Sequence, residues 1–309
     1  MYNESAMIMM LNTLTSTHPG SGTELSFVDL PIQREGHTGF PKIDASTLKG
    51  CLRYAVSEKN TKQKEKIDRI FGAPDKGDFA SAVSVTDARL LFFPVKSVKG
   101  IWGWVTCPSV LKRFFLDYKL AVGNDISCIW KPEAGSVSDS GHLVQMINGK
   151  EMIMLEDYTY KVKKDEGFSR FMKVIAGFLP GETLTKDLIP ERAVLLEDDD
   201  FANFVKFSTE VNTRIKINSE TGTVDGTALF TEEFLPPECV FYSLVFFVKE
   251  HKSQVKDKTS DWTDGEQVRR EFLALFPGGT IQIGADSTLG KGLVAVSLRK
   301  GENDDGACS

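Results

Sequence analysis

The sequence lacks what would place it in a membrane, a disulfide scaffold or a zinc fold. Its longest nearly continuous apolar run, Val240 to Val248, has a serine inside it and is less than half the about 20 residues a spanning helix needs. Five cysteines, Cys51, Cys107, Cys128, Cys239 and Cys308, are scattered, odd in number and never spaced as C-x-x-C. That pattern argues against a disulfide framework or a zinc knuckle and fits reduced thiols. Four histidines, His18, His37, His142 and His251, form no H-x-x-x-H or His-Cys cluster, so no dedicated zinc site is expected. Glu4 stands where a secretory leader carries Lys or Arg, and a cytoplasmic location is the expectation. Excess positive charge is missing too: 37 Lys+Arg against 43 Asp+Glu leave a net charge of −6. A free-standing nucleic-acid binder with a strongly basic footprint is therefore disfavoured, while a local basic groove stays compatible with the composition.

What is present is a globular chain. Over 309 residues, 41% hydrophobic and 26% charged supply a sizeable core without staples, as two domains or as one core with insertions. Ala6 to Thr17 suits a half-buried first strand. It ends at His18-Pro19-Gly20-Ser21-Gly22, a turn whose backbone can approach a ligand closely. The extended piece Leu25 to Ile32 then carries Asp29. Leu48, Leu52 and Ala55 recur on one helical face behind a cap at Asp44 or Ser46. On another face Ser46, Lys49 and Arg53 fall at i, i+3, i+7, a layout that can follow a phosphate backbone or simply face solvent.

Further on, Val83–Val95 and Ile101–Cys107 predict a hairpin with Trp102 and Trp104 on one core-filling face, and Pro108 opens an amphipathic helix. Residues 121–150 read as an insertion, Phe168–Phe178 as a helix, Leu196–Asp200 as a solvated acidic turn and Phe201–Glu210 as a helix. Arg214–Ile217 and Thr223–Phe230, around a turn at Asn218–Gly222, predict a second hairpin. With Arg214 and Lys216 on one face, it suits an arm reaching toward a partner. Cys239–Val248 predicts a buried strand, Gln267–Phe276 a helix, and Thr280–Ile283 and Leu293–Leu298 the last strands, before a polar tail at 301–309. The irregular alternation with hairpins indicates an α+β fold on a mixed or antiparallel sheet.

Two constellations could carry chemistry. Gly284-Ala-Asp-Ser-Thr-Leu-Gly290-Lys291-Gly292 has five residues between its first glycines, no hydroxyl after the lysine and a strand after it, so it is not a nucleotide-binding P-loop. It can still expose backbone N–H groups beside Lys291, or serve only as a tight turn. His18 and Asp29 form an early imidazole–carboxylate pair flanked by permissive backbone. Attack of a ribose 2′-hydroxyl on the adjacent phosphate needs such a base or a metal, with attacking and leaving oxygens aligned.

Taken together, His18–Gly22, Val28-Asp29-Leu-Pro-Ile-Gln-Arg34-Glu35, Gly39-Phe-Pro-Lys-Ile43, Ser46-Thr-Leu-Lys-Gly50 with Arg53, and Gly284–Gly292 resemble the RAMP superfamily of CRISPR proteins. Within it, Leu90–Ser97, Trp104–Pro108 and Val110–Arg113 are similar to the repeated backbone subunit of type III-B (Cmr) interference complexes. The resemblance implies a single RAMP domain over 1–309: a ferredoxin-like, RRM-derived palm with an insertion near 121–200 and a projecting thumb hairpin near 211–234. It further implies copies of the chain in a helical filament along a CRISPR guide RNA, other Cmr-type subunits as partners, and cleavage of guide-complementary single-stranded RNA at regular intervals. By the same resemblance Asp29 is the cleavage aspartate, helped by a transient divalent ion, Mg²⁺ or Mn²⁺, held at Asp29, and His18 is a second catalytic residue. Ser46, Lys49, Arg53, Gly290, Lys291 and Gly292 are the RNA-binding set. Glu232 and Glu233 lie where the family carries acidic residues, with no choice between them. The alternative is a backbone subunit that binds guide RNA without cutting.

Overall fold

The computed structural model describes residues 5–23, 28–73, 80–123, 125–128, 130–217, 224–250 and 262–300. The expected turn at Asn218–Gly222, the tail at 301–309, the start of the extended piece before Val28 and the side chain of Lys216 lie outside the described residues. In chain order the strands are β1 Ala6–Thr13, β2 Lys42–Ile43, β3 Val83–Val85, β4 Ala88–Ser97, β5 Ile101–Thr106, β6 Ser136–Val137, β7 Gln145–Ile147 and β8 Lys150–Leu155. They continue as β9 Tyr158–Lys161, β10 Lys163–Lys164, β11 Ala193–Leu195, β12 Glu210–Ile217, β13 Val224–Phe234, β14 Val240–Phe247, β15 Gly279–Gln282 and β16 Leu293–Arg299. The helices are α1 Ala45–Lys59, α2 Lys64–Phe71, α3 Pro108–Val122, α4 Glu166–Phe178, α5 Leu184–Arg192, α6 Asp198–Phe207 and α7 Gly265–Leu275.

One mixed sheet runs in the order β10-β6-β11-β5-β4-β14-β1-β16-β15, and β12 and β13 form a separate hairpin. At its centre, β1-α1-β4 and β14-α7-β16 are two β-α-β halves whose strands align as β16-β1-β14-β4, each neighbouring pair antiparallel. That is the strand order of a ferredoxin-like β-α-β-β-α-β unit. Parallel ladders occur only toward one edge of this sheet among the described residues, where β11 joins β5 and β10 joins β6.

Helices cover both faces of the central strands. On one face Phe272 of α7 packs on Phe247 of β14 and on Phe71 of α2. On the other, Phe114 of α3 meets Tyr242 of β14 edge-on at 4.9 Å. This double cover corrects the expectation of a half-buried first strand: all eight residues of β1 are buried, as in any strand with protein on both sides. The segment 121–200 holds a three-stranded piece, β7-β8-β9, besides α4 and α5; β8 joins this piece to the main sheet by pairing with β4 at Ser97 and Leu155. Trp104 fills the core and donates Nε1–H to the Glu238 carbonyl at 2.8 Å, with Trp102 against it at 5.8 Å.

The acidic stretch expected to be a solvated turn is exposed at Glu197–Asp199 as expected, but it opens a helix instead of a turn. Leu196 is buried and Asp198–Asp200 form the first turn of α6, where negative charge meets unpaired helix N–H groups. Asp198 also accepts the Ser109 N–H at 3.0 Å and the Ser109 hydroxyl, capping α3 from outside.

Candidate functional site

The last residues of β13 organise the site, because successive side chains of a strand point to opposite faces. Thr231 and Glu233 face one way, Glu232 and Phe234 the other. Residues 28–34 run beside this strand: the Leu30 N–H donates to the Thr231 carbonyl, and the Glu233 N–H to the Leu30 carbonyl, both at 3.0 Å. Asp29 is thereby set against Thr231. Its Oδ2 accepts the Thr231 N–H at 2.7 Å and the Thr231 hydroxyl at 2.9 Å, while its own N–H donates to Thr231 Oγ1 at 3.0 Å. The Thr231 backbone N–H and then its hydroxyl hold the Asp29 carboxyl below the ordinary 3.8, so this exposed group is a fixed negative charge.

Glu233, on the same face, is a lock. It is buried, and its carboxylate accepts from the Ile32 N–H at 3.0 Å, Arg34 Nη2 at 2.5 Å and the Thr209 hydroxyl at 2.8 Å. Arg34 in turn donates Nη1–H to the carbonyls of Gly39 and Val205. These bonds fix the segment that carries Asp29.

On the opposite face Glu232 meets Arg214, His18 and Asp286. Its Oε2 lies 3.1 Å from Arg214 Nε and its Oε1 3.7 Å from His18 Nε2. Arg214 grips Asp286 with both terminal nitrogens, at 2.9 and 2.5 Å. Burial, and next the charge of Asp286, push the Glu232 carboxyl up, whereas the Arg214 bonds pull the Asp286 carboxyl down. His18 Nδ1 is 2.6 Å from the Glu233 carbonyl. A carbonyl only accepts, so Nδ1 carries the proton and Nε2 turns toward Glu232. Gly20 closes over the ring, where a Cβ would come within 2.7 Å of Nε2.

The glycine-rich segment is a tight turn between β15 and β16. Asp286 sits at φ 64°, and its carbonyl accepts the N–H groups of Leu289 and Lys291. Gly290 and Gly292 take φ of 71° and 76°, a left-handed backbone that favours glycine. The turn is tied to the His18 segment by Ala285 N–H to the His18 carbonyl and Gly292 N–H to the Ser16 carbonyl. Lys291 Nζ stands 4.6 Å over the Phe234 ring and has no carboxylate partner among the described residues.

The helix face is less open than its spacing suggests. Ser46 is exposed, but Lys49 Nζ donates to Ser81 Oγ at 2.7 Å, and burial lowers its pKa. Arg53 is bonded to the Asp68 carboxylate and the Gly72 carbonyl. Burial pushes up the Cys51 thiol, which meets the Gly284 N–H and so links α1 to the glycine turn. Arg214 is likewise committed at the hairpin root, which corrects its expected role on an outward-reaching arm.

The structure thus gathers His18, Lys291, Gly292, Glu232 and Arg214 on one side of β13 and places Asp29 on the other. No hydrogen bond or ion pair joins Asp29 to His18 among the described residues. Nor, among them, does any group of three His, Cys, Asp or Glu side chains converge as a metal cage. Thr231, Arg34 and Asp286 escaped the sequence reading. Thr231 gives no local signal, since its partner is 202 residues away, while Asp286 was visible inside the glycine segment.

A ferredoxin-like sheet with a hairpin rooted beside a glycine-rich turn and an exposed carboxylate defines a class of α+β proteins. The RAMP superfamily model matches residues 10–295, and the chain belongs to that superfamily. The CRISPR system Cmr endoribonuclease Cmr4 of Pyrococcus furiosus is 38% identical over 305 residues, covering 97% of this chain and 98% of its own. The CRISPR system CMR subunit Cmr4 of Saccharolobus solfataricus is 24% identical over 304 residues, covering 92% and 93%. The crystal structure of oligomeric Cmr4 from Pyrococcus furiosus is similar with a TM-score of 0.70 at 32% identity, over 96% of this chain and 99% of that one. A chain of the type III-B Cmr-beta complex bound to cognate target RNA gives a TM-score of 0.72 at 19% identity, over 96% and 98%, a likeness of fold alone. No helix among the described residues is long and apolar enough to cross a membrane.

Proposed function

We propose that this chain is the guide-RNA-binding backbone subunit of a type III-B effector complex and that it cuts guide-complementary RNA at Asp29. The observation that carries the reading is the exposed Asp29 carboxylate, held ionised by Thr231 at the root of the β12–β13 hairpin. Copies of the chain would line the guide, with each hairpin interrupting the guide–target duplex and each Asp29 facing one displaced target nucleotide.

A carboxylate held below its ordinary range is a weak proton acceptor. Asp29 therefore acts chiefly as a positioned negative charge that orients the attacking 2′-hydroxyl and attracts a cation. The residues fit a divalent ion only in part. Asp29 offers the oxygen that is not bonded to Thr231, and the remaining ligands would be water and RNA phosphate, the pattern Mg²⁺ and Mn²⁺ tolerate. Such an ion would neutralise charge on the reacting phosphate. His18, buried and turned toward Glu232, supports the strand that holds Asp29. Lys291, which has no carboxylate partner among the described residues, is the cation best placed to meet a phosphate, with the Gly290–Gly292 backbone adjoining it and Ser46 exposed on α1. Contacts of this kind position RNA without reading its sequence, leaving target choice to base pairing.

The test compares wild-type and Asp29→Ala subunits in the guide-loaded complex, with and without Mg²⁺. Regular cuts that vanish with the substitution while target binding persists support the reading. Loss of binding together with cutting overturns the catalytic assignment. An intact target with wild-type subunits leaves a structural backbone protein, the reading favoured by the separation of His18 from Asp29.

A further inference from the structure

A cavity of about 170 Å³ lies on the α3 side of the sheet, away from the glycine turn. Its floor is apolar, made by Phe40, Leu90, Val110 and the ring of Tyr242. Most of the polar groups around it are already spent. Arg89 is held by Asp117 at 3.3 Å and Glu35 at 3.9 Å, and Asp117 also accepts the Tyr242 hydroxyl at 2.8 Å. The hydroxyls of Thr38 and Ser109 donate to Glu35 and Asp198.

Two groups are left to meet a ligand. Arg113, one turn along α3 from Ser109 and Val110, is exposed and has no ion-pair partner among the described residues. His37 is exposed at the rim, 3.9 Å from Glu35.

The volume is below the roughly 300–1,000 Å³ of sites for drug-sized ligands, so the cavity admits one ring system, not a chain. An apolar floor edged by guanidinium and imidazole planes suits a flat heteroaromatic ring, and a free guanidinium beside it suits a phosphate. We propose that this cavity binds a single nucleotide, its base on the Phe40–Leu90–Val110 floor and its phosphate on Arg113. The wall of the cavity starts at Glu35, directly after Arg34, whose bond to Glu233 anchors the Asp29 segment. Cavity and Asp29 thus hang on one continuous stretch of chain. The inference rests on the RNA-binding reading above and specifies a second place where RNA touches the subunit.

The test titrates the full chain, without guide, with 5′-AMP, GMP, CMP, UMP, ribose 5-phosphate and inorganic phosphate, followed by calorimetry. Nucleotides are expected to bind at millimolar concentration or below, with ribose 5-phosphate about tenfold weaker. Arg113→Ala should weaken nucleotide binding about tenfold, and Val110→Trp, which fills the floor, should abolish it; Arg113→Lys should restore part of the loss. Lys173→Ala, exposed on α4 and not part of the cavity lining, should leave the titration unchanged. Equal affinity for inorganic phosphate and nucleotide, undiminished affinity in Arg113→Ala, or silence with every nucleotide would overturn the proposal. Capture of an acidic peptide in place of nucleotides would also overturn it. Because no cleavage is measured, a failed nuclease reading and a failed nucleotide site give different results.

Discussion

Glu232 and Glu233 are neighbours of the same type, both buried, and the structure assigns them opposite energetic roles. Glu233→Ala removes the acceptor for the Ile32 N–H, Arg34 and the Thr209 hydroxyl. At about 1 kcal/mol net for each bond, the loss is about 3 kcal/mol. The orphaned Arg34 adds little beyond that. Its side chain is 23% exposed and keeps the carbonyls of Gly39 and Val205, so the about 3–5 kcal/mol of a fully buried broken pair does not apply. Glu232→Ala leaves Arg214 both of its bonds to Asp286 and removes a carboxyl that burial and Asp286 disfavour, so its cost should stay within about 1 kcal/mol. At roughly 2 °C per kcal/mol for a chain of this size, Glu233→Ala should lower Tm by about 6 °C and Glu232→Ala by no more than about 2 °C. Thermal unfolding of the two variants beside wild type reads this directly. Equal shifts, or the larger shift in Glu232→Ala, would refute the assignment of Glu233 as the lock.

Thr231→Val keeps the backbone N–H bond to Asp29 but deletes the hydroxyl; cleavage should fall about tenfold through lost orientation while target binding holds, measured as single-turnover rate beside a binding curve. Lys291→Ala should reduce the salt slope of guide binding by about one phosphate contact, whereas Arg53→Ala, which breaks the Asp68 pair, should act mainly on Tm. The pH dependence has two opposite signs. Asp29, lowered from 3.8, contributes stability that is present above that value and lost as pH falls through its lowered pKa, so it should set no acid limb on cleavage above about pH 4. Glu232, raised from 4.5, contributes stability that is present below that value and lost as pH rises through its raised pKa. The Tm of Glu232→Gln relative to wild type should therefore climb between pH 4 and pH 7, and a flat difference would contradict the burial argument.

The legible parts of the sequence were those with local causes. Leu48 and Leu52 announced α1, Pro108 opened α3, and the apolar run of Cys239–Val248 marked β14. The full burial of the first strand is not legible in its own pattern because it depends on cover from remote elements, among them α3, which begins 95 residues after the strand ends. The Asp198–Asp200 stretch is solvated as its composition indicates, but its acids also serve helix ends, a role that composition alone does not reveal. At the site, His18, Asp29 and the glycine segment could be named from their own neighbourhoods. The Thr231 anchor and the Arg214–Asp286 grip could not, since each joins segments separated by 202 and 72 residues. The helix cations of α1 illustrate the converse: i, i+3, i+7 spacing told which side chains share a face but not that Asp68 and Ser81 already occupy two of them.

The most direct test of the central claim uses guide-complementary RNA with one 2′-deoxy nucleotide placed in turn at each cut position, incubated with the wild-type complex and sequenced at its product ends. The account predicts that each substitution removes its own cut and no other, that the remaining products end in a 2′,3′-cyclic phosphate, and that Asp29→Asn removes all cuts together. Cutting that continues at a 2′-deoxy position, or in the Asp29→Asn complex, would show that the 2′-hydroxyl and Asp29 do not perform the reaction.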